Sequence, residues 1–532
     1  MHPTRKAISE SSRNEVQAAL AALDSDELRD VVREIMVELD DQAHSRAVNA
    51  ILRRGARSGS GTVPAALDDA DVAEAVAFAE AAKRVGYADP ADVDERLRCG
   101  VAAFLRRDYA AARRIFGGLL PPLADGDIDL GQDELISEVL DVDAAECATQ
   151  YVVATYMTSE PARRAEAVRA AIAEVRGASF FLEPIREMEG AVSEALPGLA
   201  EFLTAWRVIV EREAAGGRDS DWDGDAPRWR REVVRRIEGP DGLAKVARAT
   251  RRADDMRAWC DSLMEAEDWK AALSACEEAA ALVTERAFGP AGFLDRAAFA
   301  AQKMGEQDVS PWLERAWRAQ PTMARLRRWL GRAGTKQSLH ERAAEALKAC
   351  PQQAARQRAF LHLLQGEVEQ TADLLAKAPS LGWSNGEHPG HLIFPLFQTL
   401  LGGNGASRHA SAVPDAGTGI EDLDRLASED EEPQLATPEV NDILRDAGVQ
   451  GVTDAKARQA MLAAMRTAAE LRVAGVTTHK RRGHYGHAAS LVAACVACDR
   501  STETGQWAAT LRKTYQRFPA LCGEFNRRMG SI

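Results

Sequence analysis

The chain has 532 residues, 46% hydrophobic and 28% charged, with 67 Lys and Arg against 81 Asp and Glu for a net charge of -14. That composition excludes a wholly disordered or fibrous polymer, and the length exceeds what one compact core carries, so several domains or an extended repeat array are required. The acidic balance runs against a general nucleic-acid binder. A low aromatic share of 6%, with abundant Ala, Leu, Glu and Arg, favours helix over strand.

The opening run MHPTRKAISESSRNEVQAAL carries no apolar core and no small-residue cleavage site, so no secretory signal is expected. No stretch of 18 apolar residues occurs, so no membrane-spanning helix is expected. The eight cysteines are scattered among Ala and Leu, the pattern of buried reduced thiols in a cytoplasmic protein. High Ala, Arg and Asp usage fits a bacterium of high genomic GC content.

Residues 1–54 form an N-terminal helical segment. Its clearest helix is 26–39, where Leu28, Val31, Val32, Ile35, Met36 and Leu39 recur at helical spacing. Asp24 with Glu27 three residues on predicts a capping box. GARSGSGT within 55–63 predicts a flexible linker. From 64 to 402 the pattern is one helix after another, with Pro or Gly at the breaks. YVVATYM at 151–157 is the best strand candidate, although its apolar neighbours also suit a buried helix. Residues 403–438 turn to Gly, Ser, Pro and Asp, and 421–439 holds eight acidic residues and one basic. That predicts an acidic, solvated linker. Helical periodicity resumes in a C-terminal module, 439–532, with a basic tail from Lys480: nine Lys and Arg against three Asp and Glu.

Two segments share a spacing. CGVAAFLRRDYAAARRIF contains Gly100, Ala103, Tyr109, Ala112 and Phe116, and CDSLMEAEDWKAALSACEEA contains Cys260, Leu263, Trp269, Ala272 and Cys276. Each has a small residue, an apolar residue three later, a charged turn, an aromatic at +9 and Ala at +12. Small residues let two helices approach closely, and the aromatic opens the second helix. One such pair cannot bury its apolar stripe, so pairs must stack. The pattern resembles the tetratricopeptide (TPR) repeat. A degraded third copy runs through Ala359, Gly366, Val368, Leu375 and Ala378. The steps between copies, 160 and 99 residues, make the array irregular. The expected fold is therefore all-α, an irregular TPR-like α-solenoid with a C-terminal helical module.

A second resemblance concerns the ends. DSDELRDVVREIMVELDD and the tail with Trp507, Leu511, Tyr515, Arg517 and Leu521 look like helical regions that accompany bacterial SWIM zinc fingers. The finger itself needs a Cys-x-Cys pair, which the chain lacks. The resemblance therefore implies shared helical scaffolding without the finger, and zinc does not carry over with it.

Candidate chemistry is sparse. His484, His487, Cys495 and Cys498 are zinc-ligand types, yet on one helix the 14 residues between the first and last span about 21 Å. One ion cannot bridge that, and the Cys pair sits in an apolar run that also fits a buried helix. LGWSNGEHPGHLIFPLF places Trp383, Glu387, His388 and His391 around turn-forming Asn-Gly and Pro-Gly pairs. Loops on rigid scaffolds are favoured contact sites, so these four are candidate partner-binding residues. Arg228 and Arg231 join them from the basic run RWRREVVRRIE. The acidic stretch 219–225 begins like a calcium loop, but neither register supplies both the Gly and the distal Glu. No phosphate-binding loop, nucleophile elbow or HExxH occurs.

The expectation is a non-catalytic scaffold or adaptor without cofactor, holding a protein or peptide partner in the groove of a helical array. Two other classes stay open. One is a metal-dependent enzyme or metal-regulated sensor built on the His/Cys sets. The other is an accessory subunit of a nucleic-acid complex, docking through the basic tail.

Overall fold

The computed structural model describes residues 23–39, 44, 47, 48, 51, 69–131, 135–216, 224–283, 289–383, 385–402, 435–449, 451–452 and 454–529. The expected linker 55–63, most of the acidic linker and residues 219–223 of the acidic loop lie outside the described residues. The described chain is all-α, with one isolated bridge between Tyr87 and Asp129. Its contacts divide it into two compact units, Met1–Gly242 and Leu243–Ile532. Around that division the backbone from Asp225 to Thr250 is broken at Gly239, whose φ of 61° no continuing helix adopts, and Pro240 follows it.

In the first unit, the Ser25–Val37 helix forms with the expected capping box: Asp24 accepts from the Glu27 amide at 2.9 Å, and Glu27 accepts from the Asp24 amide at 2.8 Å. From Asp69 onward, helices Asp69–Val85, Pro90–Leu105, Tyr109–Ala124, Ala144–Thr158 and Arg164–Glu174 pack chiefly on neighbours in the chain. That nearest-neighbour stacking is the physics of an α-solenoid. YVVATYM proves to be helical, inside Ala144–Thr158, started by Asp143 accepting from the Ala145 and Glu146 amides. Burial of all sides from Gln150 to Tyr156 removes the polar stripe that would have marked a helix.

The shared spacing corresponds to a shared turn. Arg107 and Glu267 both sit at positive φ, 67° and 55°. The following Asp108 and Asp268 have the same backbone angles, φ -80° and ψ 71°, and each caps the next helix by accepting from Ala111 or Ala271. In both turns the Asp amide reaches back five residues, to Ala103 or Leu263, closing the helix end. The third copy repeats it with Gly366 at φ 77° and the Glu367 amide on His362. The small residue is needed for close approach: a Cβ at Gly100 would lie 2.6 Å from Phe116 Cε1.

In the second unit, helices from Ala253–Glu265 through Val368–Ala376 again pack on neighbours in the chain, and Gly390–Gly402 closes against Ala355–Leu364. The C-terminal helices Ala455–Thr478 and Tyr485–Cys498 pack on the helices before them. Met461, Met465, Val473, Leu491 and Val492 share one core with Phe360, Leu375 and Phe397. The end of the expected linker is also anchored. Leu435 is buried, Arg328 Nε donates to Thr437 Oγ1 at 2.8 Å, and Arg327 Nε donates to the Pro438 carbonyl at 2.8 Å. These partners lie over a hundred residues away in the sequence, beyond the reach of local composition.

Candidate functional site

The turn before the Gly390–Gly402 helix is built by its own sequence. Gly382 takes φ 86°, the Asn385 amide bonds the Gly382 carbonyl at 2.7 Å, and Asn385 Oδ1 accepts from the Glu387 amide. His388 is held on both ring nitrogens: Nε2 donates to the Pro379 carbonyl at 3.0 Å, and Nδ1 accepts from the Gly390 amide at 3.1 Å. Those two bonds fix a neutral tautomer. Glu387 accepts from Gln357 Nε2 at 3.0 Å, and Gln357 also accepts from Trp317 Nε1 at 2.9 Å.

This turn meets the C-terminal helices around one indole. The Trp383 ring lies 4.6 Å from His388, 6.0 Å from His391 and 4.8 Å from His487, centre to centre. The fit is close, since a Cβ at Gly390 would fall 2.5 Å from the indole. Trp383 and His388 are buried at 5% and 4% exposure, so they pack the interior and present no contact surface. The apolar run next to the turn is buried with them, Leu392, Ile393 and Phe394 included. His391 and Glu387 are half-buried beside them.

Electrostatics here are uniform in sign. Burial drives the pKa of His391 down to about 4 and that of His487 to about 3, with the Arg472 charge adding to the effect in both. His388 is lowered chiefly by burial, against its bond to Pro379. Arg472, on the Ala455–Thr478 helix, is 5% exposed and lowered by burial to about 10, so it stays cationic at neutral pH. Sequence reasoning did not single it out. Its signal was one charge among buried neighbours at helical spacing: Ala468, Ala469, Gly475 and Val476.

The other candidates separate. His484 is exposed while His487 turns in to Trp383. Cys495 is fully buried and its thiol is pushed far up by burial; Cys498 is raised to about 11 by the same cause. Both are held as thiols rather than nucleophilic thiolates. Among the described residues, no group of three or more His, Cys, Asp or Glu is arranged to hold a metal ion. Arg231 is buried, and Arg228 lies 3.9 Å from Asp225. Their neighbours Arg235 and Arg236 pair with Glu183 and Glu189, so much of this basic run is neutralised within its own unit.

A cavity of about 510 Å³ opens on the last two helices, Thr502–Thr514 and Pro519–Met529. Ala508, Ala509, Cys522 and Met529 line it with Arg512, Lys513 and Gln516. Arg512 and Lys513 occupy the last turn of their helix and have no ion pair among the described residues. The basic tail thus holds an apolar recess bordered by positive charge.

No family model matches the chain, and no curated protein matches it. A solved structure described as a circular tandem repeat protein with novel repeat topology and enhanced subunit contact surfaces aligns over 95% of this chain and 92% of its own, at 14% identity and a TM-score of 0.14. At that score the alignment carries no argument, and the helical-repeat description rests on the packing set out above.

Proposed function

We propose that this protein is a non-catalytic scaffold that holds a protein or peptide partner, and that its C-terminal helices carry a principal contact. The observation supporting this is the 510 Å³ recess, where apolar side chains and methylenes adjoin Arg512 and Lys513. Such a surface fits an acidic segment that also offers an apolar side chain: the apolar group supplies buried area and the carboxylates supply charge complementarity. The stacked helices act as a rigid support. Long cationic side chains contribute both stem and charge to such a contact.

The test is fluorescence anisotropy with a short labelled peptide rich in Asp, Glu and Leu, beside its Lys-substituted counterpart. The acidic peptide should bind and lose roughly 10-fold or more in affinity on the double change Arg512→Glu, Lys513→Glu. Equal binding of both peptides, or no effect of the double change, refutes the reading. Preferential capture of a single-stranded oligonucleotide, with a steep salt dependence, would replace it with nucleic-acid handling.

A further inference from the structure

We infer that the exposed turn 479–484, with Lys480, Arg481 and Arg482, receives a run of acidic residues from the partner that seats in the C-terminal recess. The inference rests on the recess reading and extends it: the partner segment carries an apolar anchor and, close by in its sequence, several carboxylates.

The turn between the Ala455–Thr478 and Tyr485–Cys498 helices has the backbone of the repeated turns and a different side chain at its centre. Lys480 takes φ 54°, beside 67° and 55° at Arg107 and Glu267. Arg481 follows at φ -85° and ψ 73°. Asp108 and Asp268 have φ -80° and ψ 71°, and Glu367 has φ -84° and ψ 66°. The Arg481 amide reaches back five residues to the Val476 carbonyl at 2.8 Å, as the Asp108, Asp268 and Glu367 amides do in their turns. That place is acidic in the other three turns and basic here. Asp108 and Asp268 cap the helix they open, whereas Arg481 makes no capping bond. An acceptor is favoured at a helix start and a cation is not. A local preference given up without a compensating contact points to function.

The cations are also uncommitted. Lys480, Arg481 and Arg482 are exposed and make no ion pair among the described residues. Other surface arginines of this unit have acidic partners: Arg315 with Glu277 at 3.4 Å, Arg318 with Glu345 at 2.6 Å, and Arg466 with Asp499 at 2.8 Å. A Cβ at Gly483 would meet nothing within 4 Å, so this side of the turn is open.

The turn and the recess adjoin. A Cβ at Gly486 would lie 3.2 Å from a terminal nitrogen of Arg528. Arg528 precedes Met529, which lines the recess with Arg512 and Lys513. Residues 506–529 hold five Lys and Arg and one acid, Glu524, which both Arg527 and Arg528 engage. Arg482 precedes Gly486 by four residues, so that stretch of chain spans at most about 14 Å. About four residues of an extended partner cover the same length.

Charge and lining together select the occupant. Guanidinium and ammonium groups pair with carboxylates, and a peptide whose apolar side chain fills the recess can carry its acids to the turn. Single-stranded nucleic acid is gripped by cations together with aromatic rings on which bases stack. The recess lining holds Ala508, Ala509, Cys522 and Met529 and no aromatic ring.

The test is fluorescence anisotropy with the full chain at low salt, where exposed charges are weakly screened. Two labelled peptides share one acidic, Leu-containing anchor. One continues into several Asp and Glu, the other into as many Gly and Ser. The acidic continuation should tighten binding about 5- to 10-fold. The double change Arg481→Glu, Arg482→Glu should erase that gain and leave the affinity of the Gly/Ser peptide unchanged. Both positions are exposed, so the change leaves the core intact. Arg512→Glu with Lys513→Glu should weaken both peptides. The two readings fail separately. No effect of the recess change on either peptide refutes the recess reading, while a gain lost with Arg481 and Arg482 still supports the turn. A continuation that adds nothing, or a gain that survives the turn change, overturns the inference. So does an oligothymidylate that binds through the turn more tightly than the acidic peptide.

Discussion

His487→Phe tests the electrostatic account of the Trp383 cluster. In the folded chain His487 titrates at about 3, because burial and the charges of Arg472, His391, His484 and His388 all oppose its protonation. Unfolded, it titrates near the ordinary value of about 6.5. Between these two values the unfolded chain binds the proton and the folded chain does not. The histidine's contribution is therefore fully present above about pH 6.5 and declines as pH falls toward 3. Each pH unit in that window costs about 1.4 kcal/mol, so going from pH 7 to 4.5 removes about 2.7 kcal/mol of wild-type stability through this one side chain. Phe fills a similar volume and does not titrate. Urea unfolding at a series of pH values should show the variant gaining on the wild type by about that amount as pH falls, whatever its offset at pH 7. A wild-type-to-variant difference that stays constant from pH 7 to 4.5 would refute the buried neutral imidazole.

Four further outcomes rest on the packing and the turns. Gly390→Ala places a methyl against the Trp383 ring and should lower stability by about 1–3 kcal/mol, seen as a reduced thermal midpoint. Glu267→Gly relieves a non-glycine residue at positive φ and should stabilise by up to about 1 kcal/mol in urea unfolding, while Gly366→Ala at the equivalent turn should destabilise by a similar amount. Asp295→Ala removes the fully buried carboxylate that Arg325 and Arg328 share and should cost about 3–5 kcal/mol in the same assay, much more than an exposed pair such as Lys377 with Asp373.

The local sequence carried much of the fold. Asp24 and Glu27 announced their capping box because both bonds form within one turn. The Arg107–Tyr109 and Glu267–Trp269 turns were legible because the helix ending, the cap and the small residue before them all lie within about twenty residues. The candidate site was legible only in its parts. His388 and His391 stood out as one motif and His484 and His487 as another, but nothing local says that the chain folds His391 and His487 onto one tryptophan.

The sequence by itself determined an all-α chain and the position of its repeated turns, because hydrogen bonds, caps and backbone angles are set by near neighbours. Tertiary structure decided which polar side chains are buried. It turned Trp383 and His388 inward, paired much of the basic run around Arg228 within its own unit, drew the C-terminal helices into the second unit's core, and buried Arg472 without an ion pair among the described residues. Burial and charge pairing depend on segments a hundred residues apart meeting, and no window of sequence contains that.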